Sequence, residues 1–194
     1  MLGKFRNSVS NTINSFAKKI NVNPNVVTLF GLITSFASIL IVLIRFNLII
    51  VPLLVIVSGI ADVLDGAIAR TRKRVTAWGS VLDSFCDRVV EANFLISLML
   101  IGINSLLVSL ALVTSFLMSY LRALGEGKGV KLEGVGILEH GERMIILFLS
   151  SLVIAIDLKH GVYIATLLMD ALIILGVISI VQRLHAIYKK LHGA

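Results

Sequence analysis

Residues 48–74 read LIIVPLLVIVSGIADVLDGAIARTRKR, an apolar run closed by four basic residues, Arg70, Arg72, Lys73 and Arg74. From Leu48 to Ala69 it is long enough to cross a bilayer as a helix, and the basic cluster marks where it leaves the hydrocarbon. The rest of the chain has the same character. Of 194 residues, 57% are apolar and 15% are charged, and the mean hydropathy is +0.99. A soluble domain of this size cannot bury so much apolar surface, so the bilayer is the expected solvent. This excludes a soluble enzyme, a disordered chain and a large extramembrane domain. The single cysteine, Cys86, excludes a disulfide framework and a cysteine-based metal site.

Five further spans flank this one. They are expected at Val26–Ile44, about Gly79–Ile101, about Ser105–Leu124, a stretch after the glycine-rich loop 125–141 that ends near Ile156, and a last stretch ending near Arg183. Before them, Leu2, Phe5, Val9, Ile13, Phe16 and Ile20 recur at helical spacing among Lys4, Arg6, Lys18 and Lys19, which suits an amphipathic helix in the headgroup region. The expectation is therefore an all-α integral membrane protein with two parts: an interfacial helix (1–22) and a six-helix transmembrane domain (23–194). Of the 18 lysines and arginines, only Arg45 and Lys159 fall in the hairpins on one side. The positive-inside rule then puts both termini and the opposite loops in the cytoplasm. The net charge of +7 reads as this bias rather than as a nucleic-acid surface. Trp78 and Tyr163 suit interfacial anchoring.

Asp62, Asp65, Asp83, Asp87 and Glu91 fall inside the second and third spans, where an unpaired carboxylate costs several kcal/mol. Asp62 and Asp65 are spaced i,i+3, and Asp83 and Asp87 i,i+4, so each pair shares a helix face. Antiparallel packing of the two helices would bring these faces together. Oxygen donors without histidine or thiol partners suit Mg²⁺, Mn²⁺ or Ca²⁺ rather than zinc. Small residues nearby leave room for a ligand. Such a face could serve a cation-coupled transporter as well as a metal-dependent enzyme. Glu91 reads as a supporting group or as a partner of Arg88. Asp170, deep in the last span, reads as a satisfied polar contact. His140, His160, His185 and His192 lack ligand spacing and receive no role.

Asp62-Val-Leu-Asp65-Gly66-Ala-Ile-Ala69-Arg70, eight residues, then Gly79-Ser-Val-Leu-Asp83-Ser-Phe-Cys-Asp87 resembles the signature of the CDP-alcohol phosphatidyltransferases, matching all eight of its fixed positions. The resemblance implies a short cytoplasmic helix before six membrane helices, commonly in a homodimer. It also implies a reaction in which a CDP-activated lipid gives its phosphoryl-alcohol part to a second alcohol and CMP leaves. In that likeness Asp62, Asp65, Asp83 and Asp87 hold divalent metal, Mg²⁺ or Mn²⁺ and two ions, and Asp87 is the general base. Gly66, Ala69, Arg70 and Gly79 face the nucleotide, as do Asn25 and Thr28 through a similar Pro-Asn-x-x-Thr segment. The glycines, the arginine and the spacing favour this enzyme over the transporter.

Arg122, Arg143 and Arg183 lie at one predicted membrane face and could form a cationic pocket for a phosphorylated acceptor. Ser119-Tyr-Leu-Arg122-Ala-Leu-Gly-Glu126, Glu139-His-Gly-Glu142-Arg143 and Gln182-Arg183 resemble segments of family members that act on inositol phosphate. Two positions depart from that pattern: Leu124 and His140 stand where basic residues are expected. The acceptor implied is inositol-1-phosphate, giving a phosphatidyl- or archaetidylinositol phosphate. Glycerol-3-phosphate as acceptor, and CDP-inositol as a soluble donor, remain alternatives within the same chemistry.

Overall fold

The computed structural model describes residues 13–193, and among these every regular element is a helix. Residues 13–19 form α1. It is followed by α2 (Pro24–Leu43), α3 (Ile50–Thr71), α4 (Ala77–Ile101), α5 (Ser105–Gly127), α6 (His140–Ile156) and α7 (Leu158–His192). Leu2, Lys4, Phe5, Arg6 and Val9 of the expected amphipathic helix lie outside the described residues. The part that is described packs inward: Ala17 is buried against Ala67 and Ile68 of α3. Arg72 ties the end of α3 to this segment, donating to Asn21 Oδ1 at 3.0 Å and to the Lys18 carbonyl at 2.9 Å.

Local chemistry sets the helix ends. Asn23 accepts from the Asn25 N–H and Pro24 occupies the first turn of α2, where proline's missing N–H has no intrahelical partner to lose. Thr76 accepts from the Gly79 N–H at 2.9 Å to start α4. Glu142 Oε2 accepts from the Glu139 N–H at 3.0 Å to close a capping box on α6. Asp157 both ends α6 and caps α7, so these two helices turn on a single residue.

Four helices, α2, α3, α5 and α7, are long and apolar enough to cross a membrane. The other two expected spans fall short for separate reasons. α6 has 17 residues, a rise of about 26 Å, and α4 carries Asp83, Asp87, Arg88 and Glu91. α7 runs on past Arg183, the expected end of the last span. It continues to His192, and its 35 residues rise about 52 Å, well beyond a hydrocarbon core of ~30 Å.

α2 packs along both α3 and α4, whereas α3 and α4 meet only slightly. The helices bearing the acidic pairs therefore do not pack face to face as expected. They diverge around α2, and the carboxylates converge across a gap. Small and polar side chains permit the close approach of α2 to α4: Asn93 donates to Ser35 Oγ at 2.9 Å, and Ser38 and Ser97 pair at 2.8 Å. The second half packs α7 against α5 and α6, with α6 reaching back to α3. Phe94, Leu98, Met118, Leu147 and Met169 fill the shared core. Large apolar residues also face outward, with Ile33 at 65% and Leu40 at 58% exposure. Hydroxyls inside and aliphatic side chains outside is the distribution a lipid solvent favours. Trp78 and Tyr163 are both exposed, near opposite ends of the bundle. Asp170 is not a satisfied interior contact: it is exposed on α7, with no hydrogen bond or ion pair among the described residues.

Candidate active site

The second half of α3 and the first half of α4 bring Asp62, Asp65 and Asp83 together at one end of the bundle. Each offers a carboxylate oxygen, and these oxygens lie within 4.8 Å of one another. Asp65 is buried, and its Oδ2 accepts from Thr28 Oγ1 of α2 at 2.5 Å. Among the described residues no lysine or arginine makes an ion pair with these three aspartates. Oxygens bound to one divalent cation at 2.0–2.6 Å can be about 4–5 Å apart, so this unneutralised set fits a hard divalent ion.

Asp87, one turn after Asp83, faces Arg88 Nη2 at 3.2 Å. Arg88 also donates to Ser119 of α5. Glu91 does not pair with Arg88: Arg143 of α6 grips it from Nε at 2.6 Å and Nη2 at 3.0 Å, with both side chains buried. The residue that sequence reasoning missed is His140. It opens α6, its Nε2 lies 3.7 Å from Asp87 Oδ1, and it can share a cation with Asp62 and Asp87. Its distance in sequence hides it, and its only signal is its place as the departure in the Glu139–Arg143 segment.

Three cavities meet at this cluster. The first, of about 320 Å³, is mainly apolar and runs between α3 and α6, past Ile56, Val63, Ile145 and Phe148. The second, also about 320 Å³, is bounded by Asn25, Thr28, Gly66, Ala69, Arg70 and Gly79. All six residues singled out as nucleotide-facing thus border one space. Its glycines are tight: a Cβ on Gly66 would lie 3.0 Å from Arg70 Nη1, and one on Gly79 would lie 3.3 Å from Asn25 Oδ1. The third, of about 520 Å³, is the most polar and is bordered by Arg122, Arg143 and Arg183 together with Asp87, Arg88 and His140. Asp83 borders all three.

The three arginines differ in freedom. Arg143 is spent on Glu91. Arg183, buried within α7, donates to the Val135 carbonyl at 2.9 Å and the Met118 carbonyl at 2.6 Å. Arg122 is exposed and pairs with exposed Glu126 at 2.9 Å. The α5–α6 loop is pinned to α7, as the Leu138 N–H donates to Ser179 Oγ at 2.9 Å and the Ile137 N–H to Gln182 Oε1 at 3.1 Å.

A sequence profile of the CDP-alcohol phosphatidyltransferases matches residues 21–182. The archaetidylinositol phosphate synthase of Pyrococcus horikoshii is 35% identical over 98% of this chain and 98% of its own length. Two crystal structures of the Mycobacterium tuberculosis phosphatidylinositol phosphate synthase superpose with TM-scores of 0.76. One, with CDP-DAG bound, is 28% identical and covers 93% of this chain and 94% of that one. The other, in complex with manganese and citrate, is 29% identical and covers 92% and 88%. With this agreement across nearly the whole chain, and the eight signature residues gathered at one end of the bundle, the protein belongs to the CDP-alcohol phosphatidyltransferase family.

Proposed function

We propose that the protein transfers the phosphoryl-lipid part of a CDP-activated lipid to inositol-1-phosphate and releases CMP. The observation that carries this reading is the position of Asp83 at the junction of an apolar, a glycine-lined and a basic cavity. A CDP-lipid needs the first two for its chain and its nucleotide, and a phosphorylated acceptor needs the third. The names of the Pyrococcus and Mycobacterium relatives support the inositol phosphate product, and family membership favours a transferase over a cation pathway.

Asp62, Asp65, Asp83 and Asp87 would hold two divalent ions, Mg²⁺ or Mn²⁺, which when bound neutralise the diphosphate and ease departure of CMP. Arg70, exposed at the rim of the second cavity, adds positive charge beside the nucleotide. Gly66, Ala69 and Gly79 leave room for it, and Asn25 and Thr28 close its far wall. Asp87 takes the acceptor's hydroxyl proton. The freed oxygen bonds to the lipid-bearing phosphorus as the bond to the CMP phosphate breaks. Arg122, Arg143 and Arg183 bind or frame the acceptor's phosphate.

In this reading α4 and α6 also cross the membrane, giving six spans, with the site and both termini cytoplasmic and residues 13–22 lying along that face. Apolar side chains on most of their outward surface support this for α6, and the shared site shelters the charges of α4. The working unit is a homodimer. The test is CMP release from CDP-lipid, diacyl or archaeal ether, offered inositol-1-phosphate, glycerol-3-phosphate or inositol. Release dependent on inositol-1-phosphate and lost in chelator supports the reading. Equal use of inositol, or preference for glycerol-3-phosphate, overturns the acceptor.

A further inference from the structure

The two ring nitrogens of His140 have different surroundings. Nδ1 is buried 3.4 Å from Glu91 Oε2 without forming a hydrogen bond to it, and that carboxylate is itself fixed by both donors of buried Arg143. Nε2 opens the other way, toward Asp87 Oδ1 at 3.7 Å. The ligand atoms of Asp62, Asp87 and His140 lie within 4.8 Å of one another. A carboxylate this close favours the proton on Nδ1, which leaves the lone pair of Nε2 facing the cluster. Histidines that ligate metals are commonly backed by a carboxylate in this way.

We propose that Asp62, Asp87 and His140 form a mixed nitrogen–oxygen cation site beside the all-oxygen set of Asp62, Asp65 and Asp83. In this site His140 Nε2 is the ligand, and the buried Arg143–Glu91 pair lies behind the ring. The inference rests on the metal dependence proposed above and adds a consequence for selectivity. Mg²⁺ and Mn²⁺ both favour oxygen donors and imidazole suits Fe²⁺, Ni²⁺, Cu²⁺ and Zn²⁺ best, but Mn²⁺, the softer of the first two, takes a nitrogen ligand more readily than Mg²⁺. The two positions are therefore unequal: the oxygen set accepts Mg²⁺ or Mn²⁺, and the His140 position discriminates against Mg²⁺. The divergence of α3 from α4 makes this possible, because it leaves a gap that the first turn of α6 enters.

The test uses chelator-stripped full-length protein in detergent, loaded with Mn²⁺ and examined by pulsed electron paramagnetic resonance, with and without ¹⁵N-labelled histidine. A nitrogen modulation that changes isotope on labelling is expected in the native protein. It should vanish in His140→Gln while Mn²⁺ remains at the oxygen set. Mg²⁺ should also displace Mn²⁺ from that variant at least about tenfold more readily than from the native protein, the scale on which support of a metal ligand matters. Bound Mn²⁺ without histidine modulation, or modulation that persists in His140→Gln, overturns the mixed site and leaves metal dependence standing. No Mn²⁺ binding at all overturns both. The labelled native protein decides the question even where the variant fails to fold.

Discussion

Thr28 on α2 and Asp65 on α3, 37 positions apart in sequence, share a hydrogen bond of 2.5 Å at the wall between the apolar and the glycine-lined cavities. The bond fixes the one aspartate of the cluster that is almost wholly buried, at 4% exposure. It couples the start of the first apolar helix to the cation site. Thr28→Val keeps the side-chain shape and removes the donor. We expect the metal concentration for half-maximal CMP release to rise about 10–100-fold, with Thr28→Ser close to native. An unchanged metal requirement in Thr28→Val would show that Asp65 needs no such support.

Asp83 and Asp87 are one helical turn apart, yet their substitution should fail differently. Asp83 borders every cavity and lies in the all-oxygen set, so Asp83→Asn should abolish metal binding at that set and activity together. Asp87 faces the basic cavity beside Arg88. As the base and a ligand of the mixed site, Asp87→Asn should lower kcat by about 10²–10⁴ while metal stays bound at the all-oxygen set and CDP-lipid affinity stays within a few-fold. Titrating metal and CDP-lipid binding alongside turnover separates the two cases.

Glu91 and Arg143 form a buried, two-contact ion pair between α4 and α6. Removing either partner strands a buried charge, which typically costs about 3–5 kcal/mol. Glu91→Ala or Arg143→Ala should therefore lower thermal stability in detergent strongly. A double Glu91→Leu, Arg143→Met variant should regain much of that stability, because two apolar side chains replace the pair at little net cost. It should not regain activity, since His140 loses its backing. Restored turnover in the double variant would show the pair to be purely structural.

The helices and the acidic motif were legible in the sequence because both depend on local pattern. Apolar runs set the lengths of α2, α3 and α5, and the spacing from Asp62 to Asp87 brought the signature residues to one end. What escaped depends on packing between distant segments. Arg88 stands nearer to Glu91 in sequence, but Arg143 reaches it from α6. His140 has no spacing relation to any aspartate and arrives only because α6 enters the gap between α3 and α4. The full length of α7 was not legible for another reason: beyond Arg183 the chain turns polar, which ends a membrane span without ending a helix.

Arg122 should control recognition of the acceptor more directly than Arg143 or Arg183, because it is the one of the three not committed to a buried partner. Its contact with Glu126 is an exposed i,i+4 pair, a kind that contributes about 0.3–0.5 kcal/mol and exchanges readily for a phosphate. A charge-assisted contact of ~1.5–3 kcal/mol corresponds to roughly ten- to a hundredfold in KM. Arg122→Ala should therefore raise KM for inositol-1-phosphate on that scale, with CDP-lipid KM and thermal stability close to native. Arg122→Lys should recover only part of the loss, because a point charge lacks the planar two-point grip of guanidinium. Glu126→Gln should lower the acceptor's KM by releasing Arg122 from its competitor. Arg183→Ala, by contrast, leaves the Val135 carbonyl of the α5–α6 loop and the Met118 carbonyl of α5 without their donor and should lower stability together with acceptor affinity. The decisive control is unphosphorylated inositol. If Arg122→Ala weakens use of inositol as much as use of inositol-1-phosphate, Arg122 does not read the phosphate and the basic cavity has another purpose.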